Sequence, residues 1–160
     1  MGTQLMEIAE ITKDKAAICR DIMTALSDWF TEPAVIDFCS EAVETLPMFG
    51  WVEDGAVLGF VALKDHPPSA SEIIVIGVRP ECRGKNIGRQ LIAAAERHAR
   101  ARGRSLLTVK TLADRGLDEP HYAATRAFYR ANGFIAAEVF PTLWHPDSPC
   151  LFQVKPLPVS

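Results

Sequence analysis

The sequence predicts a single mixed α/β domain built on one sheet, and three observations carry that prediction. Apolar runs of strand length alternate with longer segments of helical period along the 160 residues. One run, Ile73-Ile74-Val75-Ile76-Gly77-Val78, is apolar and β-branched, the pattern of a strand buried on both faces. That run leads through a basic, glycine-containing loop into an amphipathic segment. One domain over residues 1–160 is expected, since a chain of this length buries roughly two-thirds of its unfolded surface.

The elements follow in order. Residues 4 to 11 alternate Leu5, Met6, Ile8 and Ile11 with polar neighbours and predict a first strand. Thr12 offers an N-cap for a helix carrying Ile18, Cys19, Ile22, Met23 and Leu26 to about Trp29. Pro33 stands in the first turn of a second helix that runs through Val35, Phe38 and Ala42 to about Leu46. Two strands near Met48–Val52 and Ala56–Lys64 are joined at Glu53-Asp54-Gly55, a hairpin signal. His66-Pro67-Pro68-Ser69-Ala70 reads as a loop into the central strand. The next helix aligns Ile87, Leu91, Ala94, Ala95 and Ala99, with Glu96 and Arg100 as an i,i+4 pair on another face. Gly103 stops it. Leu106–Leu112 is a strand, Ala113 to Pro120 a polar loop, and Tyr122–Asn132 a short helix ended by Gly133. Ile135–Phe140 and Cys150–Leu157 predict the last strands, linked by the proline-rich stretch Pro141–Pro149.

Composition narrows the function. A net charge of −3 does not make a nucleic-acid-binding surface, and the positive charge is concentrated between residues 79 and 104. No apolar run approaches the roughly 20 residues that cross a bilayer, and the first residues lack the basic-then-apolar pattern of a signal peptide. Cys19, Cys39, Cys82 and Cys150 are scattered without a C-x-x-C pair, which predicts free thiols in a reducing cytoplasm. The four histidines have no metal-ligand spacing, so no metal is expected, and His98 falls on the apolar side of its helix.

The stretch after the central strand has a chemical use. The first amides of a helix lack intrahelical partners, and the macrodipole adds about half a positive charge there. Gly84 and Gly88 would let a bulky anion reach those amides, while Arg83, Lys85 and Arg89 supply full charges. This is a pyrophosphate cradle. Gly77, alone inside its strand, suggests a bulge or the close approach of a ligand, and a strand splayed there could offer amides to an extended arm. Neither G-x-G-x-x-G after a strand nor G-x-x-x-x-G-K-[ST] is present.

The loop Arg83-Gly84-Lys85-Asn86-Ile87-Gly88 resembles the [QR]-x-x-G-x-[GA] acetyl-CoA-binding segment of the GNAT superfamily of N-acetyltransferases. Asn86 departs from the usual glycine, but asparagine is the non-glycine residue most at ease at positive φ, so the turn is expected to survive. Thr125-Arg126-Ala127-Phe128-Tyr129-Arg130-Ala131-Asn132-Gly133-Phe134 is similar to that family's A-x-x-F-Y-x-x-x-G-F helix. The two motifs stand at the family's separation, with one strand between them. The resemblance spans nearly the whole chain and implies a mostly antiparallel central sheet, splayed at the cofactor strand and flanked by helices.

The resemblance also implies the chemistry. Acetyl would pass from acetyl-CoA to a primary amine by direct attack in a ternary complex, without a metal. The backbone of Ile76, Gly77 and Val78 would pair with the pantetheine arm, and Arg83 to Arg89 would hold the pyrophosphate. Tyr129 would protonate the departing thiolate, and a phenol suits that task. Glu72 is the expected base, with Asp54 and Glu53 behind it. Tyr122 stands where many relatives carry an asparagine that reaches pantetheine. Trp29, Phe30 and Phe38 are candidates to line the acceptor site, and Trp144 and His145 to line it or form a subunit contact. The acceptor would be a small-molecule or peptide amine, with neither nucleic acid nor membrane as partner and a homodimer left open. The alternative is an acyl-CoA-binding regulatory or interaction module without turnover.

Overall fold

A computed structural model of the chain describes residues 6–158. Seven strands form a sheet in the order β1-β2-β3-β4-β5-β7-β6: β1 (Met6–Glu10), β2 (Met48–Glu53), β3 (Ala56–His66), β4 (Ala70–Val78), β5 (Leu106–Leu112), β6 (Ile135–His145) and β7 (Ser148–Pro156). Four helices accompany them: α1 (Lys15–Ala25), α2 (Pro33–Ala42), α3 (Ile87–Ala101) and α4 (Pro120–Ala131). The expected mixed α/β class and element order are therefore observed. The chain forms two compact units, one made of the described residues up to Lys64 with Ile73–His98, the other of Asp65–Glu72 with residues from Ala99 onward.

In the first unit, β1, β2 and β3 pair antiparallel, with an irregularity between Trp51 and Val52. The core packs Cys19, Ile22 and Met23 from α1 and Leu26 just after it with Cys39, Val43, Met48, Phe60, Ala62 and Val75. Each large side chain removed from water here contributes about 1.5–3 kcal/mol. Two glycines set how closely helices approach the sheet. A Cβ at Gly77 would stand 3.2 Å from both Ile22 and Leu26, and one at Gly59 would stand 3.0 Å from Ile87 and 3.2 Å from the Gly77 carbonyl oxygen. The close packing of Ile22 and Leu26 is enough to account for the missing side chain at Gly77.

The expected boundaries moved where local chemistry allowed another outcome. Asp14, in the left-handed region, flanks α1 in place of Thr12, and the helix ends at Ala25, four residues before Trp29. The tail of the second helix tightens into a 3-10 turn at Val43–Thr45. Of the first predicted strand, Gln4 and Leu5 lie outside the described residues. β3 and β4 each extend into the predicted His66–Ala70 loop, leaving a three-residue turn.

In the second unit, β5, β7 and β6 pair antiparallel. The largest departure is here, because the expected Pro141–Pro149 linker is mostly strand. Proline cannot donate to a ladder, so Pro141 is tolerated on β6, the strand at the end of the sheet order. The β6–β7 register shifts between Phe140 and His145, next to that proline. Asp65 anchors the turn between β3 and β4: Ser71 Oγ donates to it at 2.8 Å, Arg102 pairs with it, and Arg104 stands 3.6 Å away. Arg104 also donates to the Pro68 carbonyl at 2.9 Å, and the Ser105 amide to the Ser69 carbonyl at 2.9 Å.

Partial burial of Asp65 opposes its ionisation, but hydrogen bonds from Ser71, Arg102 and Arg104 outweigh that and hold its pKa below the usual value. A depressed carboxylate contributes stability above its unfolded pKa and loses it as pH falls through the folded one. Asp65→Asn is therefore expected to cost about 1–2 kcal/mol near neutral pH, a figure kept low because the group is partly exposed. Urea unfolding across a pH series checks this, and the gap between variant and parent should close as the medium becomes strongly acidic.

Candidate active site

The loop of the first unit takes the shape that anion binding requires. After β4 a 3-10 turn at Pro80–Cys82 leads to Arg83, and the Arg79 amide donates to the Leu58 carbonyl at 2.9 Å. Gly84 has φ +80° and Asn86 φ +65°. The asparagine thus adopts the left-handed conformation that the sequence comparison required of it. The Gln90 amide donates to the Asn86 carbonyl at 3.2 Å, which starts the helical ladder of α3. The amides of Ile87, Gly88 and Arg89 precede that ladder and have no intrahelical carbonyl to meet. Arg83, Gly84, Lys85, Asn86 and Arg89 are exposed, while Ile87 is buried as the apolar pin of the helix. Leu91, Ala94, Ala95 and Ala99 are buried along the predicted face.

The segment after α1 supports this loop. The Arg83 guanidinium lies 4.2 Å above the centre of the Trp29 ring, a cation–π contact. Arg79 pairs with Asp21 of α1. Trp29, expected as a candidate for the acceptor side, is therefore in contact with Arg83 of the loop before α3. Ile76, Gly77 and Val78 form the end of β4.

The second unit holds the expected acid and base, each in a defined setting. Tyr129 lies on α4, 5 % exposed, with Phe128 and Phe134 ring centres each 5.4 Å away, the latter edge-on. Burial pushes its phenol well above the usual range, so the hydroxyl holds its proton at neutral pH. Arg126 fixes α4 by donating to the Leu112 carbonyl at 2.9 Å. Gly133, at φ +89°, turns the chain after the helix, and the Phe134 amide returns to the Tyr129 carbonyl.

Glu72 is nearly buried, and both its oxygens are engaged. Oε1 is 2.7 Å from His66 Nε2, and Oε2 accepts from Lys110 Nζ at 2.8 Å. The Glu72 side chain is 11 % exposed and that of His66 46 %. The sequence reading placed Glu72 but not its two partners. His66 could have been found from the hairpin, since it ends β3 and Glu72 is the third residue of β4. Lys110, 38 positions away, has no comparable local signal.

The remaining candidates are placed individually. Asp54 lies at the β2–β3 turn with φ +49°, and Glu53 is buried at the end of β2. Phe38 is largely exposed, and Trp144 and His145 are exposed at the end of β6. His98 packs against the Phe49 ring at 5.3 Å. These two residues, with Ile8, Glu10, Ala94 and Arg97, line a hollow of about 430 Å³ that includes no residue of either motif. Among the described residues no group of His, Cys, Asp and Glu is arranged to hold a metal, and no helix is long and apolar enough to cross a membrane.

The fold agrees with what comparison with known proteins finds. Residues 15–134 match the acetyltransferase (GNAT) family model, and the chain belongs to that family. It is 38% identical over 105 residues to an IAA acetyltransferase of Azospirillum brasilense, covering 64% of this chain and 63% of that protein. It is 36% identical over 76 residues to a mycothiol acetyltransferase of Saccharopolyspora erythraea, covering 48% of this chain and 21% of that one. The chain thus spans less than two-thirds of the length of either curated relative. A GNAT-family acetyltransferase structure from Desulfovibrio desulfuricans shares the fold at a TM-score of 0.83 and 21% identity, over 98% of this chain and 100% of that one. An aminoglycoside 6′-N-acetyltransferase in complex with coenzyme A shares it at 0.75 and 16% identity, over 94% and 96%.

The left-handed turn at Asn86 gives a direct test of the loop. Asn86→Gly should leave stability within a few tenths of a kcal/mol, because glycine accepts both the conformation and the N-cap position. Asn86→Val should cost about 1–2 kcal/mol, since a β-branched residue is strained at positive φ. Equilibrium unfolding of the two variants reads the difference.

Proposed function

We propose that this chain transfers acetyl from acetyl-CoA to a primary amine, by direct attack within a ternary complex. The observation that carries the reading is the turn at Gly84 and Asn86, which opens α3 with exposed basic residues around amides that have no intrahelical partner. A pyrophosphate fits such a site, because it needs several convergent N–H donors and fixed positive charge. The relative solved with coenzyme A has the same fold. In this assignment Arg83, Gly84, Lys85, Asn86, Ile87, Gly88 and Arg89 hold the pyrophosphate, and the backbone of Ile76, Gly77 and Val78 pairs with the pantetheine amides.

The chemistry asks little of the protein beyond alignment and the handling of two protons. The amine lone pair attacks the thioester carbonyl, a C–N bond forms, and the C–S bond breaks with its electron pair left on sulfur. Tyr129 gives its proton to that sulfur, and burial keeps the phenol protonated until that step although it also makes it a weaker acid. Glu72 marks the basic side of the reaction. The acceptor is a small-molecule or peptide amine, in keeping with the aminoglycoside acceptor named for one neighbour and the ribosomal-protein alanine named for another. The chemistry needs no metal, and a reducing cytoplasm would suit the free thiols.

Two experiments test this. Arg83→Ala and Arg89→Ala should each weaken CoA binding severalfold by calorimetry while leaving pantetheine, which lacks the phosphates, unaffected. Equal losses for both ligands would place the pyrophosphate elsewhere. Tyr129→Phe keeps the ring and removes the hydroxyl, so kcat should fall about a hundredfold with acetyl-CoA affinity unchanged. A kcat within about twofold of the parent would reduce Tyr129 to packing.

A further inference from the structure

We infer that Trp29 is a positioning residue for the cosubstrate: its indole holds the Arg83 guanidinium flat, with the N–H edge turned to the diphosphate. The inference rests on the acetyl-CoA reading above and deepens it, by naming what aims one of the phosphate contacts. Its basis is the stacked pair, with the Arg83 guanidinium 4.2 Å above the centre of the Trp29 ring. Trp29, Arg83 and the first residues of α3 all belong to the first unit.

Each member of the pair is fixed from its own side. The Trp29 and Phe30 amides both donate to the Leu26 carbonyl at 3.1 Å, which closes a turn directly after α1. Both rings are half-buried and pack against the core that contains Ile22, Met23 and Leu26. The indole is thereby a platform set by the core rather than a loose surface ring. Arg83 follows the 3-10 turn Pro80–Cys82, where buried Cys82 donates its amide to the Arg79 carbonyl at 2.9 Å. The backbone turns left-handed only at the next residue, Gly84. The Arg83 stem therefore leaves a fixed point, and its head rests on a fixed ring.

The chemistry of the pair suits a diphosphate. A guanidinium meets an aromatic ring with its flat face, while all its N–H groups lie in its plane. Stacking therefore uses none of the donors. It does remove rotamer freedom that a long side chain would otherwise lose on binding. Arg79, four residues earlier, differs in that it is paired with Asp21, so its charge is already matched by a carboxylate. Among the described residues Arg83 pairs with no carboxylate, and neither Lys85 nor Arg89 rests on a ring. Arg83 is thus the basic residue of the loop whose direction is set before a ligand arrives.

The test titrates the intact protein by calorimetry with three ligands. These are CoA, dephospho-CoA, which keeps the diphosphate but lacks the 3′-phosphate, and pantetheine, which has no phosphate. Trp29→Leu should weaken CoA and dephospho-CoA by the same factor, about fivefold, and leave pantetheine unchanged. Trp29→Phe keeps a flat ring and should stay within about twofold of the parent. In an Arg83→Ala background Trp29→Leu should add nothing, because an indole without a guanidinium on it has nothing to aim. A loss of packing alone would produce neither the split between ligands nor the dependence on Arg83. A second measurement leaves position 29 intact. In protein labelled with 5-fluorotryptophan, dephospho-CoA should move the Trp29 signal, assigned by its loss in Trp29→Phe, and pantetheine should not.

A Trp29→Leu protein with parental affinity for dephospho-CoA would overturn the assignment. So would losses at Trp29 and Arg83 that multiply, or a loss for CoA that dephospho-CoA does not share. If Trp29→Leu does not fold, the fluorine signal decides: left unmoved by dephospho-CoA, or moved equally by pantetheine, it overturns the inference. A parent protein that binds neither CoA nor dephospho-CoA would instead remove the acetyl-CoA reading, and this inference with it.

Discussion

The close approach of two helices to two glycines is the constraint on which the first unit depends. Gly59 on β3 leaves room for Ile87, the first residue of α3, and Gly77 on β4 leaves room for Ile22 of α1 and for Leu26, which caps it. Interiors pack at the density of organic crystals, so a gap or clash of one methyl at these points would shift a whole helix. Such a shift at Ile87 would carry the start of α3 with it, and with it the amides that the loop arranges around Asn86. The chemistry proposed for the loop is thus set by side chains that are missing from the sheet beneath it.

The same packing explains how two arginines came to contact the α1 region. Arg79 meets Asp21 and Arg83 lies on the Trp29 ring, so the end of β4 and the loop that follows are tied to one segment. A guanidinium stacked on an indole keeps its N–H edge free, because the ring takes only its face. Arg83 can be held in place by Trp29 and still present donors outward. Trp29 therefore belongs to the support of the loop, whatever else the segment around it contacts.

Much of this was legible in the sequence, and the parts that were not share a cause. The central strand, the basic turn and the apolar face of α3 are written in consecutive residues, and Asn86 at positive φ follows from its side chain. The extra length of β6 was hidden because Pro141 usually ends a strand, and only a position at the end of the sheet order makes it tolerable. The engagement of Glu72 was hidden for a different reason. Its partner Lys110 is 38 positions away, and a pairing at that range depends on which strands come together. Local pattern fixes elements and caps, whereas charge partners across strands are a property of topology.

The four cysteines have a practical consequence. Each is buried and free, and burial pushes the Cys19 thiol up to about 11, with Cys39 and Cys150 also raised. At neutral pH a thiol with that pKa is ionised to about one part in ten thousand, and the thiolate is the form that reacts. Burial also keeps all four thiols from direct contact with a thiol-specific dye while the protein is folded. In the assay of the proposed transfer, colour over the folded protein would belong to liberated coenzyme, and a sudden rise of up to four equivalents would signal that the chain has opened. The core thus supplies its own internal standard, silent to the reagent while the protein is native and counting unfolded molecules once it is not.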